Sequence, residues 1–207
     1  MRQSSPPSAP VDLPARDRIL WAAQDLFYRH GVRATGIDRV IAEAGVTKVT
    51  FYRHFPSKDD LVRAFLHQRH ETWIAWFKDG LAASRASQSA AERETQPLMP
   101  VLQVAREWFG GSSFRGCAFA NTVAEIGESI PSITGIALEH KQEVRDAIAG
   151  LLPADAAASD IAWAATLALD GAIVNAQLGG SSTEPALLGL QSLLNALAGG
   201  HCDPEDG

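Results

Sequence analysis

The spacing of apolar positions makes this chain a succession of helices. Ile19, Ala23, Leu26 and Phe27 follow one face of a first helix that begins at Asp12, carries Pro14 in its first turn and stops at Gly31. Ile37, Val40, Ile41 and Ala44 recur at three-and-four spacing and predict a short second helix ended by Gly45. Thr35, three residues before Asp38, resembles a capping box for it. Thr47 caps a third helix running to about Phe55, with Phe51 and Phe55 one turn apart on its inner side. Pro56 cannot continue that helix, and Ser57 with Asp60 makes a fresh cap for a long one from Lys58 to about Leu81.

Beyond that rod the pattern is looser. Ala82 to Gln96 is small, polar and mixed in charge, a frayed end followed by a loop. Pro97 to Phe109 is apolar at helical spacing, and Gly110-Gly111-Ser112-Ser113 breaks it. Another helical stretch covers Phe114 to Glu128. Pro131 and Ser132 start a helix to about Gly150, and Pro153 with Asp155 starts one reaching Leu178. After Gly179-Gly180, Thr183 caps a last helix from Glu184 to about Ala198, with Leu187, Leu190, Leu193, Leu194 and Leu197 along it. β-branched alternation is almost absent, so the expected fold is all-α.

Two short helices, a glycine turn and a donor-rich outer face describe a helix-turn-helix reader of the DNA major groove. The outer face of the third helix carries Lys48, Thr50, Tyr52, Arg53 and His54. Spacing alone fits an ordinary pair of core helices equally well. Charge separates the readings: residues 1–58 hold nine Lys/Arg against five Asp/Glu, and residues 59–207 hold nine against nineteen. The net charge of −6 thus conceals a basic end on an acidic body, as expected of a chain that brings one end to a polyanion.

The segment AEAGVTKVTFYRHFPSKDDLV closely resembles the DNA-binding signature of the tetracycline-repressor (TetR) family of bacterial transcriptional regulators. The close resemblance covers Arg16 to Phe65, about a quarter of the chain. It implies an N-terminal three-helix DNA-binding domain over residues 12–58 and a helical ligand-binding and dimerisation domain over 59–199, between disordered tails at 1–11 and 200–207. It also implies a homodimer formed by the last two helices, a palindromic operator in double-stranded DNA and a small-molecule inducer. DNA contacts carried over from the motif fall on Thr35, Thr47, Lys48, Val49, Thr50, Tyr52, Arg53, His54 and Lys58. Of these, Thr35, Tyr52, His54 and Lys58 are expected to anchor phosphates. The alternatives are an activator, or a ligand-binding or interaction protein of this fold that no longer reads DNA.

At 207 residues, with 46% hydrophobic and 20% charged, the composition is that of a globular protein. No apolar run approaches the length of a bilayer span and the start lacks a signal-peptide core, so cytoplasmic residence without membrane contact is expected. Cys117 and Cys202 sit in dissimilar contexts and read as thiols. No nucleophile beside a base and no set of metal ligands stands out, so neither catalysis nor a cofactor or metal is expected.

Phe114 to Glu128 resembles a recurrent stretch in the ligand-binding half of one TetR subgroup, as does Glu139-His140-Lys141. Asn121 and Glu125 lie four apart among apolar neighbours, His140 falls on the next helix, and Asp170 interrupts an apolar run on the one after. These groups either satisfy one another as structural bonds or form the polar contacts of an apolar ligand pocket, with a shared cation as a lesser alternative. Trp73, Phe77, Trp108 and Phe119 supply aromatic surface for a flat or aliphatic ligand.

Overall fold

The structure, a computed structural model, describes residues 13–154, 157–180 and 182–199. Every regular element among them is a helix: α1 (Ala15–His30), α2 (Ile37–Ala44), α3 (Lys48–His54), α4 (Lys58–Ser87), α5 (Ala90–Thr95), α6 (Met99–Gly110), α7 (Ala118–Ile126), α8 (Pro131–Ala149), α9 (Ala158–Leu178) and α10 (Glu184–Gly199). The expected start at Asp12, the cap at Asp155, Cys202 and both tails lie outside the described residues.

The chain divides into two compact units. The first unit runs to Glu71 and takes in Ala118–Ala137; the second holds Thr72–Cys117 and everything from Leu138. In the first, Ile19, Leu20, Leu26 and Phe27 of α1 are buried together with Val40, Phe51, Leu61 and Phe65. Phe27 and Phe65 meet edge to face at 5.5 Å, Gln24 donates to Gln68 at 2.7 Å, and the Arg69 guanidinium lies 4.4 Å over the Tyr28 ring. These pairs fix α1 along the first half of α4. α7, which the sequence groups with the ligand-binding half, belongs to this unit.

In the second unit α10 packs on α9 and α6. The stripe of Ala162, Ala165, Leu169, Ala172, Ile173 and Ala176 on α9 is buried, its small residues allowing close approach of neighbouring helices. α9 contains an 18-residue stretch of mean hydropathy 1.3, long and apolar enough to cross a bilayer by length and composition alone. Alanines raise hydropathy without forming a run of large apolar side chains, and one such helix is equally what a packed core contains.

Several element boundaries move, among them the start of α9, which lies at Ala158 and not at Pro153. α4 continues to Ser87, and the expected loop after it contains α5, closed by a capping box: the Glu92 amide donates to Ser89 Oγ at 3.2 Å and the Ser89 amide donates to the Glu92 carboxylate at 2.7 Å. α6 starts at Met99, with Pro100 in its first turn where a missing N–H costs nothing. α7 starts at Ala118, two residues after Gly116, whose φ of 82° cannot belong to a right-handed helix.

Candidate nucleic-acid interface

The turn between α2 and α3 depends on Gly45, whose φ of 60° is left-handed and strained for other residues. Val46 and Gly45 donate back to Ile41 and Ala42, closing α2. Thr47 then takes an extended conformation, and its Oγ1 accepts from the Thr50 amide at 3.1 Å, the expected cap for α3.

α3 has seven residues and no stability of its own, so its position comes from what it buries. Phe51 is fully buried and Phe55 nearly so, with the Arg16 guanidinium of α1 5.4 Å over the Phe55 ring. With that side held down, Thr47, Lys48, Val49, Tyr52, Arg53 and His54 are exposed and Thr50 is half-buried. Val49 stands 71% exposed, an apolar tip with no partner in its own unit's core and a shape suited to a thymine methyl. Lys48 lies 3.7 Å from Asp38 of α2, a pair open to solvent and therefore weak, so the ammonium remains available. The face is a compact group of hydrogen-bond donors on a rigid base.

Two motif residues make internal hydrogen bonds. Thr35 is completely buried, and its hydroxyl donates to the carbonyls of Gly31 at 2.8 Å and Leu26 at 3.4 Å. It ties the α1–α2 loop to the end of α1 and cannot reach a phosphate. Nor does it form a capping box, since Gly36 is the N-cap of α2 and supplies no side chain. Lys58 is half-buried, and its Nζ donates to the Val32 carbonyl at 2.6 Å. Burial lowers its pKa, an effect that Glu125 and Asp59 oppose by their charge. An ammonium holding one carbonyl still has N–H donors to offer a phosphate.

Arg33 of the α1–α2 loop and Arg39 of α2, which the motif does not single out, are also exposed cations of this unit. Arg39 Nη2 lies 3.0 Å from His30 Nε2, an arrangement that links α2 to the end of α1. Their only signal was the basic balance of the first 58 residues.

The eight ligand-pocket candidates are divided between the units. In the first, Phe119 is buried with His70 at 6.5 Å, Asn121 is half-buried, and the Glu125 carboxylate accepts from the Arg33 amide at 2.9 Å. In the second, Trp73 stacks on Phe77 at 4.8 Å and meets Trp108 and His140 edge to face at 5.2 and 5.0 Å. Asp170 is salt-bridged to Lys141. Among the described residues, no group of three or more His, Cys, Asp or Glu side chains is placed to hold a cation, Glu125, His140 and Asp170 included. His140 is buried, and Trp73 Nε1 is buried with no hydrogen-bond partner.

Comparison with known proteins agrees with this geometry. Residues 19–65 match the family model described as "Bacterial regulatory proteins, tetR family". The HTH-type transcriptional regulator TtgR of Pseudomonas putida is 34% identical over 175 residues, 76% of this chain and 78% of its own. The HTH-type transcriptional activator FasR of Mycolicibacterium smegmatis is 44% identical over 55 residues, 27% of this chain and 25% of its own. Among solved structures, a TetR-family transcriptional regulator from Streptomyces coelicolor superposes with a TM-score of 0.72 at 31% identity, covering 89% of this chain and 96% of that one. The chain belongs to the TetR family of transcriptional regulators, and α2 with α3 is its DNA-binding helix-turn-helix.

Proposed function

We propose that this chain is a homodimeric repressor, held on a palindromic operator by two copies of α3 and released by a small molecule bound in the second unit. The observation that carries the reading is the division of α3 into a buried Phe51/Phe55 side and an exposed side bearing Lys48, Val49, Tyr52, Arg53 and His54. Lys48 reads guanine, Thr50, Val49 and Tyr52 reach a thymine methyl or a phosphate, and Arg53 serves either. Thr47, Tyr52, His54 and Lys58 anchor phosphates.

Dimerisation is supported by the outer face of α9 and α10. Leu167, Val174, Leu178, Leu188 and Leu193 are each more than half exposed. A groove of about 650 Å³ runs between the two helices, lined by Leu167, Gly171, Leu178, Gly189 and Leu193 among others. Apolar surface of this extent on a family whose members pair by symmetry suits a second copy of the same face.

The inducer site is drawn from Trp73, Phe77, Trp108 and His140. The unpartnered Trp73 N–H suits a flat aromatic molecule carrying an acceptor. Such a ligand releases DNA only through a difference in affinity between the bound and unbound conformations. These are duties of a protein resident with the chromosome, in the cytoplasm.

An activator is the second reading, favoured by the similarity to FasR over the DNA-binding segment. Deleting the gene and measuring transcription from its upstream promoter decides between them: transcription rises for a repressor and falls for an activator. An unchanged promoter, with no shift of upstream DNA by the purified chain, contradicts both.

A further inference from the structure

The Val32–Arg33 peptide is gripped at both ends by side chains distant in sequence. Lys58 Nζ, from the start of α4, donates to its carbonyl at 2.6 Å, and the Glu125 carboxylate, near the end of α7, accepts from its N–H at 2.9 Å. The oxygen and hydrogen of a trans peptide point in opposite directions, so the two groups approach from opposite sides. The loop is shaped to admit the carboxylate. Gly31 has a φ of 84°, and a Cβ there would lie 2.7 Å from one Glu125 oxygen and 3.0 Å from the other. Thr35 holds the same loop from within through the Gly31 carbonyl.

This loop is the only covalent link from α1 into α2, and α2 carries the turn that sets α3. From these contacts we infer that Glu125 is a positioning residue for DNA reading: its carboxylate fixes the α1–α2 loop, and with it the reading helices, from α7. The inference rests on the DNA-binding role proposed above. Reach is the essential property, since the acceptor must arrive at the Arg33 amide past the bare Cα of Gly31. The charge is secondary, serving the Lys58 ammonium beside it.

Two conservative variants separate reach from charge. Glu125→Gln keeps an oxygen acceptor at the same reach and removes the charge; Glu125→Asp keeps the charge and withdraws the acceptor by one methylene. Each is titrated by fluorescence anisotropy against a duplex that the wild-type chain selects from random sequence, and exchange of the Arg33 amide is followed by NMR. Positioning predicts that Glu125→Asp weakens binding about tenfold, the scale of one hydrogen bond, and deprotects the Arg33 amide, while Glu125→Gln stays within about threefold of wild type. The reverse order overturns the inference and leaves an effect of charge alone, and tightening of both variants overturns it as well. Wild-type affinity in both variants overturns it too. A wild-type chain that selects no duplex instead sinks the DNA-binding reading on which it stands.

Discussion

Lys58 and Glu125 hold the two ends of one peptide group, the ammonium on the Val32 carbonyl at 2.6 Å and the carboxylate on the Arg33 amide at 2.9 Å. Lys58 therefore has two separable duties. Lys58→Ala loses the internal bond, about 1 kcal/mol of stability measurable by urea unfolding. If its remaining donors meet a phosphate, the same variant weakens operator and random DNA alike and lowers the salt slope of binding by about one. An unchanged slope with reduced stability assigns Lys58 to the loop alone.

The two sides of α3 should respond oppositely to truncation. Phe51 is fully buried, so Phe51→Ala costs roughly 3–5 kcal/mol by transfer and cavity terms. Val49 is mostly exposed, so Val49→Ala changes stability by no more than about 0.5 kcal/mol while weakening binding to the selected operator. Chemical denaturation and anisotropy on both variants check this. Loss of stability at Val49 would mean that α3 is anchored on the wrong side.

How much of this was legible in the sequence depends on the range of the interactions. The reading helix was legible because its determinants are local: Gly45 for the turn, Thr47 for the cap, and Phe51 with Phe55 one turn apart. Thr35 misled for the same reason, since a threonine three residues before an aspartate suits a cap whether or not its hydroxyl points inward. The capping box at Ser89 and Glu92 was equally local but went unread among small polar neighbours. Glu125 was recognisable as polar on an apolar helix, yet its partner lies 92 residues away, a distance no periodicity spans. The packing of α7 in one unit with the reading helices is hidden for that reason.

The proposed pairing through α9 and α10 rests on exposed leucines of an apolar face. Introducing Leu167→Asp together with Leu193→Asp places carboxylates where the second copy would bury them, a cost of several kcal/mol per interface. Sedimentation velocity should show a folded monomer with unchanged circular dichroism and operator affinity reduced by on the order of a hundredfold or more, as half-sites are then bound singly. A dimer that survives both charges is held by another surface.

The start of α4 contributes an acid-sensitive element. Ser57 Oγ donates to Asp60 at 2.6 Å, and this bond, with Arg63, holds the Asp60 carboxyl below its ordinary value of 3.8. The unfolded chain takes up that proton at higher pH than the folded one, so the contribution is complete above 3.8 and is lost as pH falls through the lower folded value. Melting temperatures of wild type and Asp60→Asn should converge as the pH drops below 3.8. A gap that stays constant into acid would remove Asp60 from the cap.

The central claim is that the exposed side of α3 reads base edges, and Lys48 tests it most directly. Wild type and Lys48→Ala are titrated by anisotropy against the duplex selected by wild type and against a random duplex at one salt concentration. The account predicts a loss of roughly 1–3 kcal/mol on the selected duplex and a much smaller one on random DNA. Equal losses on both duplexes, or a wild type that prefers neither, would contradict it.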